Sequence, residues 1–390
     1  MDKKQKIIQI YFCVIFIAII SIMGIITITN NKMVSKKEGR KLTTFSQITL
    51  GKLTKDDFYT DMTNAFADQL AFRESLIKGY YLFNFQRYVG DVIKGRDNQL
   101  YFSPLITENE EKYEKNLANV SKNEMSNVAE QVTKAGSKFI FISIPRKDVL
   151  MEEYLPDTYI KGTSNYLKYV DIVKKNVSNK VEVWDAYDIL KGNVQNPFYA
   201  TDHHMNIQGA YKIFEKIIQT VNKDGYKIKL GKLEDEFTIN KQVLNGSYNR
   251  KIGQSINAGE EELNLVYNNS GLRYVRKDNG ENVTTPIFGT GNTYASAYMG
   301  DDYAETVVTT NNKNAPNILF DGSSYTNVLE ALSVCKFNTM VSIDYRHNTT
   351  GKSIADYVKE YDIDYTIFIC AQSNNALAIS SIKEHLGLKK

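Results

Sequence analysis

The feature that most constrains this chain is a nearly uncharged apolar run near its start, IIQIYFCVIFIAIISIMGIITIT at residues 7–29. About 20 consecutive apolar residues form a helix long enough to cross the hydrocarbon core of a bilayer. We therefore predict a transmembrane anchor over residues 7–29, with residues 1–6 as a cytoplasmic tail and the rest outside the cytoplasmic membrane. Basic residues flank the run on both sides, so this orientation rests on the shortness of the tail. No cleavage site or lipobox follows the run, and a cleaved signal peptide is the alternative.

The composition is that of a folded domain without a nucleic-acid surface. The chain has 390 residues, of which 42% are hydrophobic, and this is ample for a packed core. Its net charge is only +3 and it has no basic stripe with interleaved aromatic residues, which argues against nucleic acid as a partner. Outside the apolar run the cysteines are Cys335 and Cys370. We interpret them as two buried thiols, with one disulfide between them as the alternative.

The segments after the anchor have the pattern of an α/β domain. We interpret residues 30–60 as a connector and residues 61–390 as one large domain. SKFIFISIPR and KVEVWDAY are typical of strands buried on both faces, and the helical pattern NYLKYVDIVKKNV lies between them, as in a βαβ unit. The alternation returns near the end of the chain, where NILF, TMVSIDYR and DYTIFIC predict further strands. The predicted fold class is therefore α/β, with a parallel sheet flanked by helices.

Between these two halves the sequence pattern changes. From residue 225 to residue 314, short alternating runs are broken by Gly, Asn and Asp, as in EELNLVYNNSGLRYVRKDNG. This pattern predicts hairpins. We therefore expect a β-rich insertion at 225–314 that packs on the main domain.

The loop after the predicted strand NILF is the first candidate site. An α/β protein places its chemistry just beyond the carboxyl ends of its parallel strands. Here Gly322, Ser323, Ser324 and Tyr325 follow the strand and lead into a helix. A serine in such a turn is exposed, and neighbouring backbone N–H groups can stabilise an oxyanion. The alternative is an ordinary serine cap after a glycine turn.

The stretch TDHHMNIQGAY is the second candidate site. In extended backbone, residues two apart project to the same side, so Asp202 and His204 share a face while His203 points the other way. The carboxylate can accept the Nδ1–H of the histidine and leave Nε2 as a base toward a serine hydroxyl. Adjacent histidines do not readily bind one ion, so we predict no metal. The alternative is that Asp202 caps the next helix and that both histidines are structural.

The order of these motifs resembles that of the bacterial DHHW proteins and, through them, of the SGNH-hydrolase-like proteins of alginate O-acetylation. TDHHMNIQGAY, ILFDGSSYTNVL and VSIDYRHN carry the resemblance, and FADQLAFRESLI, IKGRDNQLYF and FISIPRKDVLMEEYLP add to it. The likeness extends over most of the region from Phe66 to Asn375. It implies an SGNH-hydrolase-like catalytic domain within residues 61–390.

The resemblance implies roles for several residues. Asp202 would orient the imidazole, His204 would act as the base, and Ser324 would be the nucleophile. Arg346 in IDYRHN matches an arginine that would steady the substrate or the oxyanion. The candidates for oxyanion or substrate contact are Gly322, Ser323, Tyr325 and Arg346.

Two residues depart from the pattern of the family. Met205 replaces a tryptophan, and Ser323 replaces the aspartate of a Gly-Asp-Ser turn. Ser323 is thus the alternative nucleophile. We prefer Ser324 because ILFDGSSY then aligns with the turn of the family without a gap.

The resemblance and the residues together predict an O-acetyltransferase or acetylesterase that acts on a cell-surface or exopolysaccharide through an acyl-serine intermediate and without a cofactor. Acetyl-CoA does not cross a membrane, so the expected partner is a multispanning membrane acyltransferase that passes the acyl group outward. The alternative is a catalytically inactive, membrane-anchored glycan-binding or scaffold component of a polysaccharide-modification complex.

Overall fold

The computed structural model describes residues 3–35, 38, 40–48, 56–84, 91–103, 110–159, 162–371, 382–383 and 386. These residues form two compact units, one of residues 1–92 with 247–257 and one of residues 93–246 with 258–390. Residues 49–55 of the predicted connector lie outside the described residues, and so does Asn375, the end of the region of resemblance.

The helices and strands are numbered along the chain. The helices are α1 (Lys3–Thr29), α2 (Asp56–Gln69), α3 (Arg73–Asn84), α4 (Glu110–Asn119), α5 (Ser126–Lys134), α6 (Lys147–Leu150), α7 (Thr163–Asn176), α8 (Ala186–Leu190), α9 (Ile207–Lys223), α10 (Leu233–Glu236), α11 (Ser247–Lys251), α12 (Tyr294–Ala297), α13 (Asn327–Val334) and α14 (Ile354–Glu360). The strands are β1 (Val34–Ser35), β2 (Arg40–Lys41), β3 (Val92–Lys94), β4 (Leu100–Phe102), β5 (Lys138–Ile144), β6 (Val181–Asp185), β7 (Phe237–Gln242), β8 (Glu261–Tyr267), β9 (Tyr274–Asp278), β10 (Glu281–Val283), β11 (Glu305–Thr310), β12 (Ile318–Asp321), β13 (Thr339–Ile343) and β14 (Tyr365–Ala371).

The first unit carries the apolar helix. Among the described helices, α1 alone is long and apolar enough to cross a membrane, with a mean hydropathy of 2.7. Near its end, Thr27 Oγ1 accepts a hydrogen bond from the backbone N–H of Ala71, at 3.0 Å. The buried amide of Gln69 donates to the carbonyl oxygens of Lys32 and Thr43. These bonds tie the end of α1 to the turn between α2 and α3.

The second unit is built on an eight-stranded sheet of order β10-β9-β11-β13-β12-β14-β5-β6. The five strands from β13 to β6 in this order run parallel to one another. The three strands at the other edge pair antiparallel. The predicted α/β fold with a mostly parallel sheet flanked by helices is confirmed.

The central strands bury side chains on both faces of the sheet. On β5, Ile140, Ile142 and Ile144 pack into one core cluster with α8, α9 and α13. Phe139 and Phe141 pack into a second cluster with α5, α7 and α14. Because both faces are covered, the strand reads as a continuous apolar run in the sequence.

The two cysteines outside α1 lie on opposite faces of this sheet. Cys335 belongs to the cluster of α8, α9 and α13, and Cys370 belongs to the cluster of α5, α7 and α14. Both are free thiols. Burial raises the pKa of Cys335 and raises the pKa of Cys370 to about 12. Both therefore act as small hydrophobic side chains.

Part of the β-rich region at 225–314 belongs to the main sheet. β7 and β8 make an antiparallel pair, but β9 pairs with both β10 and β11, and β11 pairs with β13. Strands β9, β10 and β11 therefore continue the main sheet, whereas β7 and β8 form a two-stranded sheet of their own. The physical reason lies in β11, where Val307 and Val308 are buried in the clusters on opposite faces. A strand buried on both faces packs within a sheet and not on top of it.

One close backbone approach generates a first prediction. A Cβ atom added to Gly246 would lie 2.2 Å from the carbonyl oxygen of Thr201, the residue before Asp202. Gly246→Ala should lower the free energy of unfolding by about 1–3 kcal/mol, because the backbone at Thr201 must shift. The measurement is urea denaturation in detergent micelles, followed by the fluorescence of Trp184, the single tryptophan.

The matched control is Gly162→Ala, whose added Cβ would meet only Val149 Cγ2 at 3.7 Å, an ordinary contact. That variant should change the unfolding free energy by less than about 1 kcal/mol. Equal effects of the two substitutions contradict the close approach at Gly246.

Candidate active site

The serine turn follows β12 at the carboxyl edge of the sheet. A glycine is required at position 322 because the turn has no room for a side chain. An added Cβ would lie 2.5 Å from Thr326 Cγ2 and 3.3 Å from the Ile369 carbonyl oxygen. The backbone N–H of Thr326 donates to the Ser323 carbonyl, and that of Asn327 donates to the Ser324 carbonyl. The chain thus turns tightly from β12 into α13, and the side chain of Ser324 is half-buried at the turn.

The histidine loop is a short hairpin-like segment that leads into α9. Phe198 and Met205 form an antiparallel bridge, and the backbone N–H of Tyr199 donates to the carbonyl oxygen of His204. Met205 is buried in the core. The helix cap belongs to Asn206, whose side chain accepts a hydrogen bond from the N–H of Gly209. The alternative in which Asp202 caps this helix is therefore wrong.

Asp202, His204 and Ser324 lie in hydrogen-bond contact. The distance from His204 Nδ1 to Asp202 Oδ1 is 2.7 Å, and the distance from His204 Nε2 to Ser324 Oγ is 2.8 Å. The backbone N–H of His204 also donates to Asp202 Oδ1, at 3.0 Å. The fold thus brings together two segments 120 positions apart in the chain.

The charge state of Asp202 fixes the arrangement of protons. Its side chain is 1% exposed. Burial alone would raise the pKa of Asp202, but the electrostatic interaction with the imidazoles of His204 and His203 and the hydrogen bonds from His204 hold it well below its usual range. An ionised carboxylate only accepts hydrogen bonds, so His204 Nδ1 is the donor. In the neutral imidazole, Nε2 then accepts the hydroxyl hydrogen of Ser324.

His203 does not point away from this group, contrary to the prediction. Its Nδ1 lies 3.4 Å from Asp202 Oδ1, and its ring centroid lies 3.8 Å from that of His204. The reason is that residues 201–204 form a bend, where the alternation of extended backbone does not apply.

In the described chain, one group alone brings three candidate metal-ligand atoms within 4.8 Å of one another. It consists of Asp202, His203 and His204. Both ring nitrogens of His204 already contact Asp202 and Ser324. An ion that used His204 as a ligand would have to displace one of these two contacts. The geometry therefore favours proton transfer over metal binding.

Two tyrosines enclose the histidines. The ring of Tyr294, on α12, stacks on His204 with a centroid distance of 3.9 Å and an interplanar angle of 1°. Tyr325 donates its hydroxyl to the carbonyl oxygen of His203, at 3.1 Å, and burial raises its pKa. Tyr294 comes from the β-rich region, and the sequence carried no signal for it because tyrosine is frequent throughout this chain.

A buried lysine holds the backbone of the histidine loop through two hydrogen bonds. Lys147 Nζ donates to the carbonyl oxygens of Tyr199 and Ala200, both at 2.7 Å. Burial lowers the pKa of Lys147 to about 7, although Glu261 and Asp202 oppose that shift. Glu261 accepts a hydrogen bond from the N–H of Ala200, at 2.7 Å. Neither side chain was predicted from the sequence, although Lys147 follows the predicted strand FISIPR at the edge where a site was expected.

The other predicted residues lie around the serine turn. Arg346 Nε donates to both carboxylate oxygens of Asp344, at 2.9 and 3.0 Å, and Nη2 lies 3.5 Å from Asp302. Its charge is therefore shared with two carboxylates. Ser323 lines a small cavity of about 10 Å³ with Asp302 and Asp344. The hydroxyl that faces His204 is that of Ser324.

The fold and the site together define a class. A serine, a histidine and an aspartate joined in this order at the carboxyl edge of an α/β sheet can form and resolve an acyl-serine. Residues 92–328 match the family of the SGNH hydrolase-like domain of acetyltransferase AlgX, and the chain belongs to this family. The predicted resemblance is thereby confirmed, as is the prediction of an SGNH-like acetyltransferase. No curated protein matches the sequence significantly.

Solved structures show the same fold. Bacillus cereus PatB1, solved with a sulfonyl adduct, is 20% identical, with a TM-score of 0.57 over 75% of this chain and 98% of its own. A DHHW family protein from Eubacterium siraeum is 19% identical, with a TM-score of 0.56 over 77% of this chain and 100% of its own. At these identities the likeness concerns the fold alone.

Behind the serine turn, α13 buries a carboxyl group. Glu330 is 4% exposed and accepts hydrogen bonds from Ser342 Oγ, at 2.6 Å, and from Thr326 Oγ1. Thr326 Oγ1 also contacts the Ser323 carbonyl oxygen, at 2.9 Å. Burial raises the pKa of Glu330 from 4.5 to about 7, against the effect of its two hydrogen bonds.

This titration predicts a dependence of stability on pH. The unfolded chain releases the Glu330 proton near pH 4.5, whereas the folded chain keeps it up to about pH 7. The contribution of Glu330 to stability is therefore complete below pH 4.5 and is lost as the pH rises toward 7. Glu330→Gln removes this loss, so the variant should gain about 1–3 kcal/mol relative to the original chain between pH 4.5 and pH 8.

The measurement is urea denaturation at several pH values, followed by the fluorescence of Trp184. The control for the loss of a carboxylate at the surface is Glu130→Gln, at an exposed position on α5. A difference for Glu330→Gln that stays constant across this range contradicts a protonated Glu330 in the folded chain.

Proposed function

We propose that this protein is a membrane-anchored, extracytoplasmic O-acetyltransferase or acetylesterase of a cell-surface or exopolysaccharide, with Ser324, His204 and Asp202 as its catalytic triad. The observation that carries the proposal is the pair of hydrogen bonds at His204, 2.8 Å to Ser324 Oγ and 2.7 Å to Asp202 Oδ1. Membership of the AlgX-type acetyltransferase family supports the reaction class.

The first half-reaction loads the acetyl group onto the serine. His204 Nε2 takes the hydroxyl proton as Ser324 Oγ attacks the carbonyl carbon of the acetyl donor. The resulting imidazolium is stabilised by the carboxylate of Asp202. Backbone N–H groups of the serine turn are the candidate donors to the developing oxyanion, except that of Gly322, which donates to the carbonyl oxygen of Ile343. His204 then returns the proton to the leaving group, and the acetyl-serine remains.

The second half-reaction transfers the acetyl group to an acceptor. A sugar hydroxyl gives its proton to His204 Nε2 and attacks the acetyl carbonyl, and Ser324 regains its proton when the ester to the enzyme breaks. If water attacks in place of the sugar, the same site acts as an esterase. The two activities differ only in which hydroxyl reaches the acetyl-serine.

The proposed membrane anchor is the apolar helix α1. Its length and mean hydropathy of 2.7 suit a single span. With the catalytic domain on the outer side, the acyl donor must be delivered across the membrane, and a multispanning membrane acyltransferase is the partner that performs this step.

Substitution of the triad tests the proposal. Ser324→Ala or His204→Ala should lower turnover of a fluorogenic acetyl ester by about 10³-fold or more, because the first variant lacks the nucleophile and the second lacks the base. Ser323→Ala should keep the Ser324 hydroxyl and lower turnover by less than about tenfold. The fluorescence of Trp184 checks that each variant is folded.

Two outcomes contradict this assignment. Unchanged turnover in both Ser324→Ala and His204→Ala removes the catalytic role of the triad and favours the inactive glycan-binding or scaffold component. Loss of turnover in Ser323→Ala with retention in Ser324→Ala makes Ser323 the nucleophile.

A further inference from the structure

A polar groove lies beside the loop that carries Asp202 and His204. Its volume is about 530 Å³, which is within the range of small-ligand sites. The lining side chains end mostly in amides and carboxylates, namely those of Asn193, Gln195, Asn196, Gln208, Glu260 and Glu262. Neither the triad chemistry nor the family match assigns a role to this groove.

We propose that the polar groove binds the acceptor glycan, and that this glycan is neutral or carries amino groups in place of carboxylates. The inference rests on the proposed transferase function, since it concerns the molecule that receives the acetyl group. It excludes polyuronates as preferred acceptors.

The groove is connected to the histidine loop by hydrogen bonds. Asn206 Nδ2 donates to the carbonyl oxygen of Asn196, at 2.5 Å, and these two residues flank the bridge between Phe198 and Met205. On the other wall, Tyr199 donates its hydroxyl to the carbonyl oxygen of Glu262, at 3.1 Å. A ligand in the groove therefore lies against the segment that positions His204.

The hydrogen-bonding groups of the groove suit hydroxyl-rich ligands. Asn196 Oδ1 is buried and has no hydrogen-bond partner in the described part of the chain. Glu260 is exposed and has no ion pair among the described residues. Sugar hydroxyls donate to exposed carboxylate oxygens such as those of Glu260 and accept from amide N–H groups, so a neutral sugar can use both kinds of group.

The charges of the groove disfavour a carboxylated ligand. Three carboxylates, from Glu260, Glu261 and Glu262, line it together with a single cation, Lys241. Lys241 lies 3.8 Å from Glu262. Burial raises the pKa of Glu261 and the neighbouring Lys147 opposes that shift, so the buried pair of Glu261 and Lys147 adds no net charge. One carboxylate therefore remains in excess.

The cavity beside the serine turn also has an excess of negative charge. Asp301, Asp302 and Asp344 line it, and its described lining contains no lysine or arginine. Arg346 is the cation that pairs with two of these carboxylates. The whole chain carries +3, so the excess of carboxylates at the two cavities does not follow from the overall charge. The carboxylates of both cavities would repel a polyuronate, whereas they would not repel a neutral or amine-bearing glycan.

The test compares acceptors that differ in charge. Full-length protein in detergent micelles is given a fluorogenic acetyl ester and one of three oligosaccharides of equal length, built from glucose, glucosamine or galacturonate. Transfer to the glucose or glucosamine oligomer should exceed transfer to the galacturonate oligomer by about tenfold or more at low salt. The difference should shrink as the ionic strength rises. Equal or faster acetylation of the galacturonate oligomer overturns the proposal.

Substitution of the groove gives a second readout. The double variant Glu260→Gln/Glu262→Gln should raise acetylation of the galacturonate oligomer relative to the glucose oligomer by about three- to tenfold. The control Glu130→Gln, at an exposed position on α5, should leave the ratio unchanged. If the ratio is unchanged in the double variant and its Trp184 fluorescence is that of a folded chain, the groove does not select the acceptor. That result overturns the proposal.

The failures of the two proposals are distinguishable. Ester hydrolysis that depends on Ser324, with no acetylation of any oligomer and no binding of any oligomer to the Ser324→Ala chain, overturns the groove and leaves the triad intact. Absence of hydrolysis that depends on Ser324 overturns the proposed function itself, and the acceptor assignment with it.

Discussion

The hydrogen bond between the buried carboxylate of Asp202 and Nδ1 of His204 is the interaction on which the site depends. A carboxylate that is 1% exposed is costly to bury unless it is paired, and its partner is the imidazole itself, at 2.7 Å. This pairing keeps Asp202 ionised, fixes which ring nitrogen carries the proton, and leaves the other nitrogen facing Ser324. Met205 and Asn206 hold the following backbone, one in the core and one as the cap of α9.

The β-rich region is part of this site and not an appendage to it. Because β9, β10 and β11 continue the main sheet, the segments between them are carried to the histidine loop. They supply the ring of Tyr294, which stacks on His204, and the hydroxyl of Tyr298, which lies 3.0 Å from that of Tyr199. β8 adds the carboxylate of Glu261, bonded to Ala200 N. The imidazole is thus held between two regions distant in sequence.

Much of the fold and part of the site could be predicted from the sequence. The parallel strands were predictable because burial on both faces leaves a continuous apolar run, as on β5. Asp202, His204 and Ser324 could be selected because their chemistry is particular to few residue types. The side chain of His203 was misplaced because a bend, not an extended strand, carries it. Tyr294 was missed, and the β-rich strands were predicted without their place at the edge of the main sheet, because sheet edges and ring stacking depend on tertiary contacts that no local pattern records.

The central claim is that Ser324 Oγ carries the acetyl group during turnover. The most direct measurement is mass spectrometry of peptides from the full-length chain after brief mixing with an acetyl ester and an acid quench. We expect one acetyl group per chain on Ser324, and none in His204→Ala, because the serine then lacks the base that lies 2.8 Å away. A chain that turns over the ester with its acetyl group on Ser323, or with no acetyl group on either serine, would contradict it.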